Sequence, residues 1–229
     1  MTHAVLRGRP ADVPALLRPE EIRRSGRWLV MLGLLDAGTT FAVAAVVASI
    51  AGAAALGYAE AARIAANPVM VLAWGLSAVL GPRSVRAGRE LNAEEARQIS
   101  RRFATILAAA GVASLAIFTA NWWGNPMAWL LPNAYAIPGL AGLSILAYLA
   151  NGFGYPFWSE LLGGRRERLI AKAEIKANVL RTLIAGSAGF THAYAVPLSL
   201  LGFGVARWFG LHRVRMTMYD RGATSEAAT

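Results

Sequence analysis

Three polar residues interrupt an otherwise apolar stretch of bilayer length, residues 56–83. Glu60, Arg63 and Asn67 are spaced three and four residues apart, so a helix places all three on one face. A charge inside a bilayer costs about 2.5–3.5 kcal/mol, and such residues usually face a protein interior or a water-filled cavity. Two interpretations stay open: a Glu60–Arg63 pair that only holds helices together, or a pair that lines a cavity.

Three other apolar stretches also carry polar side chains at helical spacing. Asp36 lies in the first stretch, where a carboxylate is either paired with a cation from a neighbouring helix or protonated. A packing salt bridge and a ligand or proton role are both open for Asp36. The later stripes are Ser144, Tyr148, Asn151 and Tyr155, and then Glu174, Asn178 and Arg181.

The residue types that catalyse reactions are poorly placed. His3, His192 and His212 are too far apart in the chain to suggest a metal site. The sequence has no phosphate-binding glycine loop and no Gly-x-Ser-x-Gly elbow. We therefore expect no enzyme, no metal ion and no cofactor, and a binding or permeation role instead.

Composition identifies the elements that must position these side chains. The chain has 229 residues, of which 56% are hydrophobic and only 16% are charged. Six apolar stretches are each long enough for a transmembrane helix. They begin near Trp28, Leu56, Phe103, Ile137, Leu169 and Thr191. This pattern predicts an all-α integral membrane protein with six transmembrane helices.

The basic residues predict its orientation. Of the 23 Lys and Arg, 21 lie in the N-terminal arm, the second and fourth connectors and the C-terminal end, and the two exceptions are Arg63 and Arg181. By the positive-inside rule, both termini are cytoplasmic. The net charge of +10 then lies beside anionic membrane lipids rather than nucleic acid. The 21 Arg and 2 Lys are typical of a GC-rich bacterial genome.

Three segments follow from this pattern. Residues 1–27 form a cytoplasmic basic arm, residues 28–212 a six-helix membrane domain, and residues 213–229 a disordered cytoplasmic tail. Asn92 should cap the third long helix, and Gly152, Gly154 and Pro156 should interrupt the fourth span. Three Trp residues in 121–129 indicate an interfacial aromatic belt, or alternatively a platform for a sugar or lipid tail.

The order of these features over most of residues 25–190 resembles the second lobe of the bacterial polysaccharide flippases. These form the oligosaccharide-lipid branch of the multidrug/oligosaccharidyl-lipid/polysaccharide exporter superfamily. The matching strings are Leu35-Asp36, Leu56-Gly-Tyr-Ala-Glu-Ala-Ala-Arg63, Pro68, Pro82-Arg, Leu131-Pro-Asn-Ala-Tyr135 and Gly163-Gly-Arg-Arg. Family members have two six-helix lobes joined by a cytoplasmic linker, to which residues 1–27 would correspond. In the final span, Thr191-His-Ala-Tyr-Ala-Val-Pro replaces the usual glycine-rich run.

The resemblance implies a flippase that moves a polyprenyl-diphosphate-linked sugar across the bacterial cytoplasmic membrane by alternating access. Arg63 and Arg181 would contact the diphosphate, because the guanidinium fork suits phosphate. Asp36 and Glu60 would hold these arginines or couple to an ion. The other substrate-binding candidates in the cavity are Asn67, Asn178, Tyr148 and Asn151.

A single lobe implies a partner. The expected partner is a second copy of the chain, forming a homodimer, or a separately encoded six-helix lobe. The alternatives are a non-transporting scaffold subunit of an envelope-polysaccharide assembly and a truncated remnant. A membrane-embedded glycolipid enzyme is a third, weaker alternative.

Overall fold

The computed structural model describes residues 19–120, 125–130, 137 and 139–226. All secondary structure in these residues is helical: eight α-helices and one 3₁₀ helix, Gly189–Tyr194. The α-helices are α1 Pro19–Ala51, α2 Ala53–Arg89, α3 Ala93–Thr119, α4 Pro126–Leu130, α5 Leu140–Gly152, α6 Tyr155–Gly163, α7 Glu167–Ser187 and α8 Ala195–Glu226. The predicted all-α class is confirmed for this part of the chain.

Four of the helical stretches in the described residues are long and apolar enough to cross a membrane. They lie in α1, α2, α3 and the continuous stretch formed by the 3₁₀ helix and α8. Helix α2 has 37 residues, a length of about 55 Å, which exceeds a hydrocarbon core of about 30 Å. The chain is therefore a membrane protein built from helices.

The two other predicted spans are helical but do not satisfy the same test of apolar length. The fourth is divided between α5 and α6, which have 13 and 9 residues. The fifth corresponds to α7, which has 21 residues but carries charged side chains along its length. Six crossings with both termini on the cytoplasmic side remain a prediction.

The break between α5 and α6 is the predicted interruption. Gly152 ends α5, and Pro156 lies in the first turn of α6, where its missing N–H removes no helical hydrogen bond. The predicted cap of α3 is also confirmed, because the Asn92 side chain accepts a hydrogen bond of 3.1 Å from the backbone N–H of Glu95.

The long helices form a closed ring. Helix α1 packs mainly on α7, α7 on α8, α8 on α5, and α5 and α6 on α2, while α3 covers the outside of α2. Helices α1 and α2 meet beside their short turn, where Val43 and Val47 pack near Ala55. We call this the turn end of the bundle, and the opposite end, which holds the α2–α3 and α6–α7 connections, the basic end.

Glycines let two helix backbones touch near the basic end. A Cβ atom added to Gly88 of α2 would overlap the Glu160 carbonyl of α6, and one added to Gly163 would overlap the Val85 carbonyl of α2. The two positions together fix α6 directly against α2, as small residues do at helix interfaces in membranes.

The ends of the chain differ from the predicted segments. Helix α1 already begins at Pro19, within the predicted arm, and α8 continues through most of the predicted tail to Glu226. Met218 is buried, so this segment has a helical face that packs on the bundle. The polar composition of the segment does not reveal that face. Residues 1–18, 121–124, 131–136, 138 and 227–229 lie outside the described residues. They include most of the arm, two of the belt tryptophans and the 131–135 landmark.

Candidate functional site

A cavity of about 300 Å³ lies inside the ring of helices. Helices α1, α2, α5, α6, α7 and α8 all contribute to its wall. Apolar side chains such as Leu56, Trp74 and Phe203 line part of it. The polar lining residues are Asp36, Thr40, Glu60, Arg63, Ser144, Tyr148, Asn151, Tyr155 and Arg181. Asp36, Glu60 and Arg63 come from α1 and α2, which are long and apolar enough to cross a membrane, so a membrane-spanning bundle would hold these charges at membrane depth.

Arg181 projects into this cavity from α7 and is only 8% exposed. Its Nη1 atom donates a hydrogen bond of 3.2 Å to the Thr40 hydroxyl and lies 3.8 Å from Asp36 Oδ1. The Phe203 ring centroid is 5.6 Å from the guanidinium carbon. The Nε atom has no hydrogen-bond partner among the described residues. The guanidinium therefore keeps donor capacity that the surrounding protein does not use.

Arg63 and Glu60 form the i,i+3 pair that the sequence indicated. Arg63 Nε lies 2.7 Å from Glu60 Oε2, and the two side chains are 44% and 62% exposed. Asp36 is similarly accessible, with 66% of its side chain exposed. Three of the four charged groups of the cavity thus lie at its open mouth, and Arg181 lies deeper.

The structure brings six of the eight predicted site residues together around the cavity: Asp36, Glu60, Arg63, Tyr148, Asn151 and Arg181. Their roles in binding and coupling remain predictions. The two exceptions, Asn67 and Asn178, do not line the cavity.

Each of these asparagines shares a helix face with a cavity arginine but turns elsewhere. Asn178 is buried one turn before Arg181, and its amide donates to the Glu174 carbonyl. The Oδ1 atoms of Asn67 and Asn178 are both buried, without a hydrogen-bond partner in the described part of the chain. Helical spacing predicts a shared face, but it does not determine where a side chain points along that face.

Next to the cavity lies a buried ion pair, Arg207–Glu174, that the sequence does not predict. Arg207 Nε lies 2.6 Å from Glu174 Oε1, and both side chains are 9% exposed. Arg207 also donates a hydrogen bond of 3.0 Å to Asn151 Oδ1. Its guanidinium carbon lies 5.1 Å from the Tyr155 ring centroid and 5.9 Å from that of Phe203, within the range of cation–π attraction. Arg207 is therefore in contact with three residues of the cavity lining: Asn151, Tyr155 and Phe203.

A second buried ion pair lies closer to the basic end. Arg215 Nε donates to both carboxylate oxygens of Glu160, at 2.8 and 3.0 Å, and the Tyr219 hydroxyl donates to the same carboxylate at 2.6 Å. A sequence signal for both pairs exists in α8. Phe203, Arg207, Leu211 and Arg215 recur every four residues, and all are buried. Arginines within such a repeat require buried carboxylate partners.

No protein-family model, curated protein or solved structure matches this chain. The described residues contain no group of three or more His, Asp and Glu that could hold a metal ion. The site itself, an arginine-bearing cavity within a helical membrane bundle, is the basis for a functional proposal.

Proposed function

We propose that this chain is a half-size transporter that carries a polyprenyl-diphosphate-linked sugar across the bacterial cytoplasmic membrane. The supporting observation is the cavity, where Arg63 and Arg181 from different helices face one space. A diphosphate cannot cross hydrocarbon unless its charge is solvated or paired. Two arginines inside the bundle supply that pairing, and transport leaves the substrate chemically unchanged.

The state of Arg181 supports an anionic substrate. Asp36 lies 3.8 Å from Arg181, which is longer than a charge-assisted hydrogen bond of about 2.7–2.9 Å. A phosphate oxygen could therefore bind the guanidinium without first breaking a short ion pair. Arg63 is held by Glu60 at 2.7 Å, so we assign it the outer contact at the cavity mouth and Arg181 the inner one.

The exposed mouth supports an assembled rather than a solitary transporter. Asp36, Glu60 and Arg63 would face lipid if the chain worked alone, at a cost of about 2.5–3.5 kcal/mol for each charge. A second lobe over the mouth would remove this cost and enclose the substrate. The partner is either a second copy related by a two-fold axis or a separately encoded six-helix lobe.

A scaffold subunit of a polysaccharide assembly is the second candidate. The pairing of Glu60 with Arg63 and the hydrogen bond from Arg181 to Thr40 favour it, because they satisfy much of the cavity charge without a ligand. Under this alternative the charges hold helices together and bind no substrate.

The proposal is tested by removing each arginine separately. Arg63→Ala and Arg181→Ala should abolish export of the lipid-linked sugar in cells that depend on this chain, while the variants still insert in the membrane. In lipid nanodiscs, Arg181→Ala should bind geranylgeranyl diphosphate at least about tenfold more weakly than the wild-type chain, because a charge-assisted contact is lost.

Arg83→Ala is the matched control, because Arg83 is an exposed arginine of α2 at the basic end, 3.8 Å from Glu95. It should leave binding and export unchanged. The transporter proposal fails if deletion of the chain leaves polysaccharide export intact and the purified chain is a monomer in mild detergent. A stable complex with unchanged diphosphate binding in Arg181→Ala would instead support the scaffold.

A further inference from the structure

Asn151 occupies a junction between the cavity and the buried Arg207–Glu174 pair. It is the penultimate residue of α5, directly before the break that leads to α6. Its backbone is held in place by close contact with α8, since a Cβ atom on Gly204 would overlap the backbone of Ala150 and Asn151. The side chain borders the cavity, so its orientation decides which polar atom the cavity presents.

The neighbouring arginine determines that orientation. Arg207 Nη1 donates to Asn151 Oδ1 at 3.0 Å and approaches the Asn151 backbone oxygen at 3.5 Å. A guanidinium has donors but no acceptor, so the amide oxygen must face Arg207 and the amide nitrogen must face away. The Nδ2 atom has no hydrogen bond to any other residue that the structure describes. It is the group left for the cavity.

Arg207 is itself immobilised. Its Nε atom is bonded to Glu174 at 2.6 Å, and the Tyr155 and Phe203 rings flank the guanidinium. Both ends of the pair are buried, where a hydrogen-bonded ion pair keeps a defined geometry because every alternative leaves a charge unpaired. Glu174 therefore orients Arg207, and Arg207 orients Asn151.

We infer that Glu174 and Arg207 are positioning residues that turn the Asn151 amide N–H into the cavity and so tune it for a phosphate-type oxyanion. The Asn151 amide adds a neutral donor to the Arg181 guanidinium, which borders the same cavity. A diphosphate, which has only acceptor oxygens when ionised, matches such donors. This inference rests on the proposed function, because it names the recognition chemistry of the same cavity.

The first test changes the presented atom. Asn151→Asp keeps the shape of the side chain and still accepts from Arg207, but it replaces the amide donor with a carboxylate oxygen. In nanodiscs, it should bind geranylgeranyl diphosphate at least about tenfold more weakly than the wild-type chain. Binding of uncharged geranylgeraniol, which has the same tail, should not change. Equal affinity of Asn151→Asp and wild type for the diphosphate would overturn the inference.

The second test removes the positioning pair without leaving a lone charge. In Arg207→Met/Glu174→Met, diphosphate affinity should fall about three- to tenfold, because the amide can then rotate. A further Asn151→Ala change should weaken binding in the wild-type background but not in this double variant. A purely structural role would not produce that coupling. Independent effects in the two backgrounds would contradict the inference.

The second ion pair provides the matched control. Arg215→Met/Glu160→Met removes a buried pair between α8 and α6 that does not line the cavity, and it should leave diphosphate affinity unchanged. If it weakens binding as much as the Arg207 variant, the effect is structural and the inference fails. If the Arg207 variant does not fold, the Asn151→Asp comparison decides alone. Weakened binding in Arg181→Ala with normal binding in Asn151→Asp would refute this inference and leave the transporter proposal standing.

Discussion

The two pairs that the arginines of α8 form with carboxylates of α6 and α7 are the most deeply buried charges in the described residues. Glu160 is only 1% exposed and accepts from both Arg215 and Tyr219. Removing water from two charges is expensive, and their attraction offsets that cost only when the geometry is good. Once such a pair exists, loss of one partner is far more damaging than loss of both.

We predict this asymmetry for the Glu160–Arg215 pair. Glu160→Ala should lower the free energy of unfolding by about 3–5 kcal/mol, because Arg215 is left buried without a carboxylate. Glu160→Met/Arg215→Met should recover more than half of that loss. Unfolding in mixed detergent micelles, followed by circular dichroism, measures both values. Equal destabilisation by the single and double variants would show that Arg215 finds another partner or reaches water.

At this scale, the sequence predicts local relations better than distant ones. Composition alone identifies the four charges within apolar stretches, which are Asp36, Glu60, Arg63 and Arg181. Helical spacing then predicts the Glu60–Arg63 pair. Arg207 and Glu174 are separated by 33 residues, and nothing in a single-sequence pattern specifies which distant helix supplies the carboxylate. The sequence pattern therefore places Arg207 with the basic cytoplasmic residues.

Among the elements, α2 packs mainly on four other α-helices, α1, α3, α5 and α6. Near the turn end α2 carries Glu60 and Arg63 to the cavity, and near the basic end its Gly88 packs on α6. Close backbone contact of this kind tolerates no Cβ atom. Gly75 of the same helix is unconstrained, because a Cβ atom there would meet nothing within 4 Å.

A glycine-to-alanine substitution should have opposite effects on stability at Gly88 and at Gly75 of α2. Gly88→Ala should destabilise the protein by about 1–3 kcal/mol or more, because α2 and α6 must separate. Gly75→Ala should be neutral or stabilise it by up to about 1 kcal/mol, because alanine restricts the unfolded chain. Thermal unfolding in detergent compares the two directly. Similar midpoints for both variants would contradict the close contact of α2 with α6.

Helix existence was predictable and helix ends were not. Apolar stretches located all the long helices, and glycines with a proline located the break between α5 and α6. Composition does not predict the helix bounds at either chain end, because α1 and α8 extend through segments rich in charged and polar residues. In α8, the buried face includes Arg215 and Met218. A sequence alone does not distinguish a buried arginine from an exposed one, because its carboxylate partner is not known.

For the molecule as a whole, charge is concentrated at the basic end. Arg83, Arg86 and Arg89 end α2, and Arg97, Arg101 and Arg102 lie in the first turns of α3. We propose that this end faces the cytoplasm, since positive residues are retained on that side during insertion. The turn end, with the 3₁₀ helix, would then face outward.

Single cysteines test this orientation, because the native chain contains none. Thr191→Cys lies in the 3₁₀ helix at the turn end, and Glu90→Cys follows α2 at the basic end. Both positions are exposed. In intact cells, a membrane-impermeant maleimide should label Thr191→Cys only, and Glu90→Cys should react only after the membrane is opened. The reverse pattern would invert the proposed topology, and equal labelling would refute a membrane-crossing arrangement.

The ring of helices imposes an order on biosynthesis. Helix α1 is made first, yet its main neighbour is α7, and Thr40 receives its hydrogen bond from an arginine 141 residues later in the chain. At a translation rate of about 5–20 residues per second, that interval lasts roughly 7–28 s. During this time Asp36 lies in or beside the membrane without the Arg181 guanidinium, which is 3.8 Å away in the finished fold. Insertion of α1 therefore precedes the contact that it makes in the finished fold, and that contact forms only after α7 has emerged from the ribosome.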